Sequence, residues 1–317
     1  MNTSVIDDPD ITDTWCVTHP LSVQDRALMA QVRVMTAPNK GRLVGTSARE
    51  PFDALIAHTE TPVDVIWRKD DVGGVAGWWC EPAGAPQDTA ILHLHGGWFN
   101  WGSASAFRNL VGHLARSAGA KAFIPDYRLA PEHPFPAASN DVRSCYDGML
   151  ALGLRAVAIS GDSAGGNLAL ALLGEGTQRL AGRVVGAVVL SPVTDLTLAS
   201  PSWVSRAEAD PFFVQAQAET LVASYLGSHD RRDPAASPLF GKLAGLPPLR
   251  VHVGDDETLR DDSLDYVRRA VSSGVDAQVD LWLGMAHGFI GSIGQLEAAD
   301  AALELIGQFL GDRLREA

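Results

Sequence analysis

The stretch AVAISGDSAGGNLALALL, residues 156–173, decides the architecture. It opens on an apolar, partly β-branched run suited to a buried strand, and from Ala164 onward apolar residues recur at helical spacing. Between the two, Gly161-Asp162-Ser163-Ala164-Gly165-Gly166 satisfies G-x-S-x-G in the strand–turn–helix context that the motif requires. A serine on so sharp a turn is held in a strained backbone conformation that presents its hydroxyl at the end of the strand. Glycines on either side let neighbouring elements approach without a Cβ clash. The turn also aims the first N–H groups of the helix at the same point, which makes the Ala164 amide a candidate oxyanion donor. Ser163 is the candidate nucleophile.

Outward from this stretch, the alternation of short β-branched runs with longer helical patterns persists from about residue 62 to the C-terminus. It implies an α/β class, with helices on both faces of a mostly parallel sheet. Eight strands are expected, at 63–68, 75–80, 90–95, 121–125, 156–160, 184–190, 249–253 and 278–283. Helices are expected at about 104–118, 137–152, 164–175, 261–274 and 295–314. Two stretches break the rhythm. Residues 1–50 hold an expected helix at about 21–36, and residues 195–247 carry Trp203, Phe212, Phe213 and Tyr225 among proline-rich turns. Long irregular loops are uncommon in compact domains, so both stretches read as a mainly helical cap on one core spanning 51–317.

Composition limits the function classes. The chain has 317 residues, 46% hydrophobic and 20% charged, which describes an ordinary globule and excludes disorder for most of it. A formal charge of −13 repels a phosphate backbone, which argues against nucleic acid as a partner. Cys16, Cys80 and Cys145 are odd in number and widely spaced, so neither a disulfide framework nor a zinc site is expected. No metal or cofactor is called for. The N-terminal MNTSVIDDPDITDTW has acidic residues where a secretory signal would carry Lys or Arg, and no run of about 18 apolar residues occurs. These readings predict a soluble, cytoplasmic protein without a membrane partner.

Upstream of the elbow, the strand AILHLH at 90–95 runs into His95-Gly96-Gly97-Trp98. A His-Gly-Gly turn after a core strand lets the N–H groups of Gly96 and Gly97 point into the site and stabilise charge on a carbonyl oxygen. With HGGW at 95–98, DYRLAPEHPFPAA at 126–138 and GDSAGG at 161–166, the chain resembles the hormone-sensitive-lipase-like (bacterial class IV) branch of the α/β-hydrolase esterases, from about residue 50 onward. The resemblance implies an α/β-hydrolase fold and maps the third oxyanion donor onto Ala164. Family members usually show HGGG, so Trp98 is a departure that keeps both donor glycines and reshapes the pocket. Under the resemblance His95 is structural, orienting the loop. Asp126, Arg128 and Glu132 become a buried scaffold for that loop, and Pro131, Pro134 and Pro136 fix its path.

The fold orders its triad as Ser, then Asp or Glu, then His. Of the nine histidines, only His287, in Gly284-Met285-Ala286-His287-Gly288-Phe289, follows the last core strand, which makes it the candidate base. His252 inside a strand and His229 in the inserted segment read as structural. The acid must come from the acidic loop 255–262. Family members commonly show Asp-Pro-Leu-Arg-Asp here, and aligning the shared Leu-Arg-Asp puts Glu257 on the catalytic acid, with Asp256 as the alternative. Asp261 and Asp262 are expected to cap the following helix.

The resemblance implies a serine carboxylesterase that hydrolyses small-molecule esters through an acyl-enzyme. Alternatives are a lactone, amide or carbamate hydrolase with the same triad, or a non-catalytic ligand-binding homologue. Trp98, Trp203, Phe212 and Phe213 are expected to confine an apolar acyl pocket that favours short chains. A homodimer is compatible with all of this.

Overall fold

A computed structural model describes residues 14–176 and 182–317. Most of the N-terminal acidic stretch, residues 1–13, therefore lies outside the described residues. In chain order the elements are β1 (Cys16–His19), α1 (Val23–Thr36), α2 (Arg49–Ile56), β2 (Val65–Val72), β3 (Val75–Pro82), β4 (Thr89–Leu94), α3 (Ala104–Ala118), β5 (Lys121–Pro125), α4 (Ala137–Ala151) and β6 (Ala156–Asp162). They continue with α5 (Ala164–Glu175), β7 (Val184–Leu190), α6 (Ser202–Ser205), α7 (Gln215–Leu226), β8 (Leu249–Gly254), α8 (Arg260–Ser272), β9 (Ala277–Trp282) and α9 (Glu297–Glu316).

The strands form one sheet in the order β1-β9-β8-β7-β6-β4-β5-β3-β2, parallel except where β3 meets β2 and β5. The α/β expectation holds, with one correction: the described sheet has nine strands, not eight. The ninth, β1, lies in the N-terminal stretch expected to be cap and runs parallel to β9, pairing Cys16 with Val279 and His19 with Trp282. Four residues, CVTH, half exposed at a sheet edge, carry no apolar run by which to be recognised. Helix α2 likewise runs across residue 50, where the cap was expected to end.

The sheet divides two cores, and the period-two alternation of a strand assigns residues to each. On β6, Val157 and Ile159 join the core with α4, α5 and α8, while Ala156 and Ala158 face the core with α3 and α9. Each large side chain so buried contributes roughly 1.5–3 kcal/mol by leaving water. The order of strand addition switches sides between the parallel neighbours β4 and β6: β4 leads through α3 to β5 on one side, β6 through α5 to β7 on the other. Open α/β sheets leave a crevice at the carboxyl ends of such a strand pair. Among the described residues no helix is long and apolar enough to cross a membrane.

Candidate active site

Ser163 stands at this crevice, between the last residue of β6 and the first of α5, with φ 55° and ψ −118°. Neighbours hold it in the left-handed region: its N–H donates to the Leu190 carbonyl at 2.7 Å, and its carbonyl accepts from Val193 and Asn167. Gly165 admits no side chain, because a Cβ there would lie 1.9 Å from the Leu94 carbonyl oxygen at the end of β4. The Ser163 turn and β4 are thus packed backbone on backbone.

After β4, Gly97 takes φ 118° and its carbonyl accepts from the N–H groups of Asn100 and Trp101. Among the described residues the amides of Gly96 and Gly97 donate to no backbone oxygen, and Ala164, as first residue of α5, has no acceptor within its helix. His95 is fully buried. Its ring stacks on Tyr127 at 4.2 Å, its Nδ1–H donates to the Gly96 carbonyl at 2.9 Å, and burial pulls its pKa down. The expected buried scaffold needs correction, since Asp126, Arg128 and Glu132 are exposed. They act from the surface: Asp126 accepts from the Ala104 N–H at the start of α3, Arg128 pairs with Asp141, and Glu132 pairs with Arg49.

The Glu257 and His287 loops follow β8 and β9. Glu257 is fully buried and accepts three hydrogen bonds: from Ser191 Oγ at 2.8 Å and Gly254 N–H at 2.6 Å to Oε1, and from His287 Nδ1–H at 2.7 Å to Oε2. The alternative, Asp256, is engaged by Arg33 of α1, whose guanidinium also donates to the Gly284 carbonyl. Asp255 pairs with Arg206 and Arg260. Burial works to lower the His287 pKa, but the Glu257 hydrogen bond and charge, helped by Asp210 and Asp162, outweigh it and leave the pKa raised. His252 is buried against Trp282, and burial pulls its pKa down to about 4, so it stays neutral.

Asp262 does not cap α8. It accepts instead from the N–H groups of Thr194 and Asp195 and from Ser200 Oγ, fastening the start of the inserted segment to α8. Asp261 pairs with Arg260. A second buried carboxylate, Asp210, accepts from Thr258 N–H and Oγ1 and from the N–H groups of Phe212 and Phe213, tying the insertion to the acid loop.

Ser163 and His287 line one narrow cavity of about 50 Å³. Its apolar walls are Ile56, Phe107, Leu110, Leu190, Phe289 and Ile290. A larger cavity, about 240 Å³, lies between β8, β9 and α9 and contains none of the site groups. The four expected pocket aromatics do not line the smaller cavity. Trp98 is buried against Trp203 and edge-on to Phe213, and Phe213 packs at 4.9 Å on the His287 ring. Phe212 packs beside Phe213. They form the wall behind His287, whereas α2, α3 and the loop after β9 enclose the cavity. Sequence reading missed Ser191, Arg33 and Asp210; only Ser191, a polar residue closing an apolar strand, carries a local signal.

A model of the α/β-hydrolase fold matches residues 91–291. The chain belongs to the α/β-hydrolase family. Within it, the hydrolase falls in the hormone-sensitive-lipase-like esterase branch and is an enzyme of the carboxylic ester hydrolase class. It is 34% identical over 271 residues to an acetyl-hydrolase of Streptomyces hygroscopicus, covering 85% of this chain and 88% of that protein. It is 32% identical to an ethyl acetate hydrolase of Pseudomonas putida, over 72% of this chain and 76% of that one. The crystal structure of an esterase from the bacterial hormone-sensitive lipase family superposes with a TM-score of 0.85 at 33% identity, over 93% of this chain and 100% of the other.

Proposed function

We propose that the hydrolase is a serine carboxylesterase acting on short-chain acyl esters through an acyl-enzyme. The observation that carries the reading is the 2.7 Å bond from His287 Nδ1–H to buried Glu257, made by a histidine that shares its cavity with Ser163. In this reading Glu257 fixes the imidazole tautomer and stabilises the imidazolium, leaving Nε2 to take the Ser163 proton as Oγ attacks the ester carbonyl. The oxyanion of the tetrahedral intermediate is held by the N–H groups of Gly96, Gly97 and Ala164. The imidazolium then protonates the departing alcohol, and a water deprotonated by His287 hydrolyses the acyl-enzyme.

Short chains are favoured by the size of the cavity, and the names of the Streptomyces and Pseudomonas relatives point the same way. The N-terminal and inserted segments act as the cap: Ile56 and Thr59 close the cavity from one side, and Phe213 backs the imidazole. A panel of p-nitrophenyl esters, lactones, amides and carbamates, run beside fluorophosphonate labelling, tests the proposal. Acetyl to butyryl esters should turn over fastest, with labelling lost in Ser163→Ala. Preference for a lactone, amide or carbamate would replace the substrate class, and an unlabelled, inactive wild type would overturn the reading.

A further inference from the structure

Trp98 and Phe99, directly after the oxyanion glycines, have φ of 54° and 60°, a left-handed conformation that bulky residues adopt only under constraint. Both are buried. The constraint converges on Asn100, itself 1% exposed. Its Nδ2 donates to the Trp98 carbonyl at 2.6 Å and to the Leu221 carbonyl of α7 at 3.2 Å, and its Oδ1 accepts from Ser224 Oγ at 2.9 Å. The Asn100 carbonyl accepts from Arg49 Nε, and the Phe99 carbonyl accepts from the Ala130 N–H. Phe99 also stacks on Tyr225 of α7 at 3.8 Å. With the bonds that Gly97 accepts, every carbonyl from 97 to 100 is engaged.

We propose that Asn100 is a positioning residue for the oxyanion hole, locking the strained Trp98–Phe99 turn to helix α7 at Leu221 and Ser224. A side-chain amide is the group this role needs, since it donates to two carbonyls while accepting from a hydroxyl. The consequence is that the donor geometry of Gly96 and Gly97 depends on the inserted segment being docked. The inference rests on those two amides being the oxyanion donors.

The test measures kcat and KM for p-nitrophenyl acetate, and Ki for an aryl trifluoromethyl ketone, whose adduct with Ser163 mimics the tetrahedral state. The variants are Asn100→Ala, the isosteric Asn100→Asp, Ser224→Ala, and Trp98→Gly with and without Asn100→Ala; thermal unfolding of each establishes that it is folded. In Asn100→Ala and Asn100→Asp, kcat should fall about 10- to 100-fold with KM within twofold, and the ketone Ki should rise in parallel. Ser224→Ala, which removes one bond at the edge, should lose about twofold in kcat. In the Trp98→Gly background, where glycine takes the left-handed turn freely, Asn100→Ala should cost several-fold less.

Wild-type kcat in Asn100→Asp or Asn100→Ala, a loss confined to KM, or an equal loss with Gly at position 98 would overturn the inference. Should the Asn100 variants not fold, an unchanged ketone Ki in Ser224→Ala would overturn it and a raised one would support it. Hydrolysis that survives Ser163→Ala would instead overturn the triad reading, and this inference with it.

Discussion

The Ser163 turn at 161–166 and the glycine-aromatic turn at 95–102 meet the same physical demand by opposite means. Each holds non-glycine residues at positive φ: Ser163 in the first, Trp98 and Phe99 in the second. The elbow accommodates its strain locally, with glycines where Cβ atoms would strike backbone and hydrogen bonds to the adjoining β7 and its exit. The oxyanion turn keeps two glycines and then inserts large aromatics, held by groups more than 120 positions away on α7. Strain relieved by glycine is written into the local sequence; strain held by packing is written across the whole fold.

The largest expected effect lies on the elbow side. Ser163→Ala should lower ester hydrolysis by about 10⁴-fold or more while leaving the fold intact, as assayed with p-nitrophenyl acetate. Glu257→Gln comes next. By analogy with triads that lose their acid charge, kcat should fall about 10³- to 10⁴-fold. It also carries a pH signature. The base works only when neutral, and its pKa is raised, so wild-type kcat/KM should fall as pH drops through a value above the ordinary histidine value of about 6.5. Loss of the Glu257 charge removes the main raising cause, so the acidic limb of the residual activity should move to lower pH. A limb that stays in place would mean Glu257 does not set the His287 pKa.

Gly165→Ala and Trp98→Gly sharpen the contrast in stability. The added methyl would lie 1.9 Å from the Leu94 carbonyl oxygen, so β4 and α5 must separate, at a cost of about 4 kcal/mol or more by chemical denaturation. Leu110→Ala should cost about 2–5 kcal/mol and, by enlarging the cavity, shift the preferred acyl ester toward longer chains. Trp98→Gly loses a buried indole but regains about 1–2 kcal/mol of backbone strain, so its net destabilisation should be the smallest of the three. Trp98 does not line the cavity, so this variant should handle longer acyl esters no better than the wild type; improved turnover of hexanoyl or octanoyl esters would make it the gate after all.

The same contrast explains what could be read from the sequence. The eight expected strands, the Ser163 turn, the Gly96-Gly97 turn and the His287 loop are local patterns, and the strands lie where expected, with shifts of a few residues at their ends. Proposing Glu257 needs the family's Leu-Arg-Asp as a ruler, because Asp255 and Asp256 offer the same chemistry two and one positions away. What separates them is tertiary: Arg33, 223 positions upstream, engages Asp256, whereas Ser191 and the Gly254 amide receive Glu257. The cavity walls were illegible for a similar reason. Ile56 and Thr59 come from a segment whose helix α2 has no side-chain cap and buries no residue fully, so nothing local marks it as a lining element. The aromatics of the inserted segment drew attention by size, yet size placed them in the packing behind the base.

The central claim is that Ser163 carries the acyl group between two half-reactions. Rapid acid quench of the wild type during p-nitrophenyl acetate turnover, followed by peptide mass spectrometry, tests it most directly. One acetyl group is expected on the peptide containing Ser163, and none in Ser163→Ala, which should also lose hydrolysis. Steady hydrolysis with no adduct on that peptide, or an adduct on another residue that persists in Ser163→Ala, would contradict it.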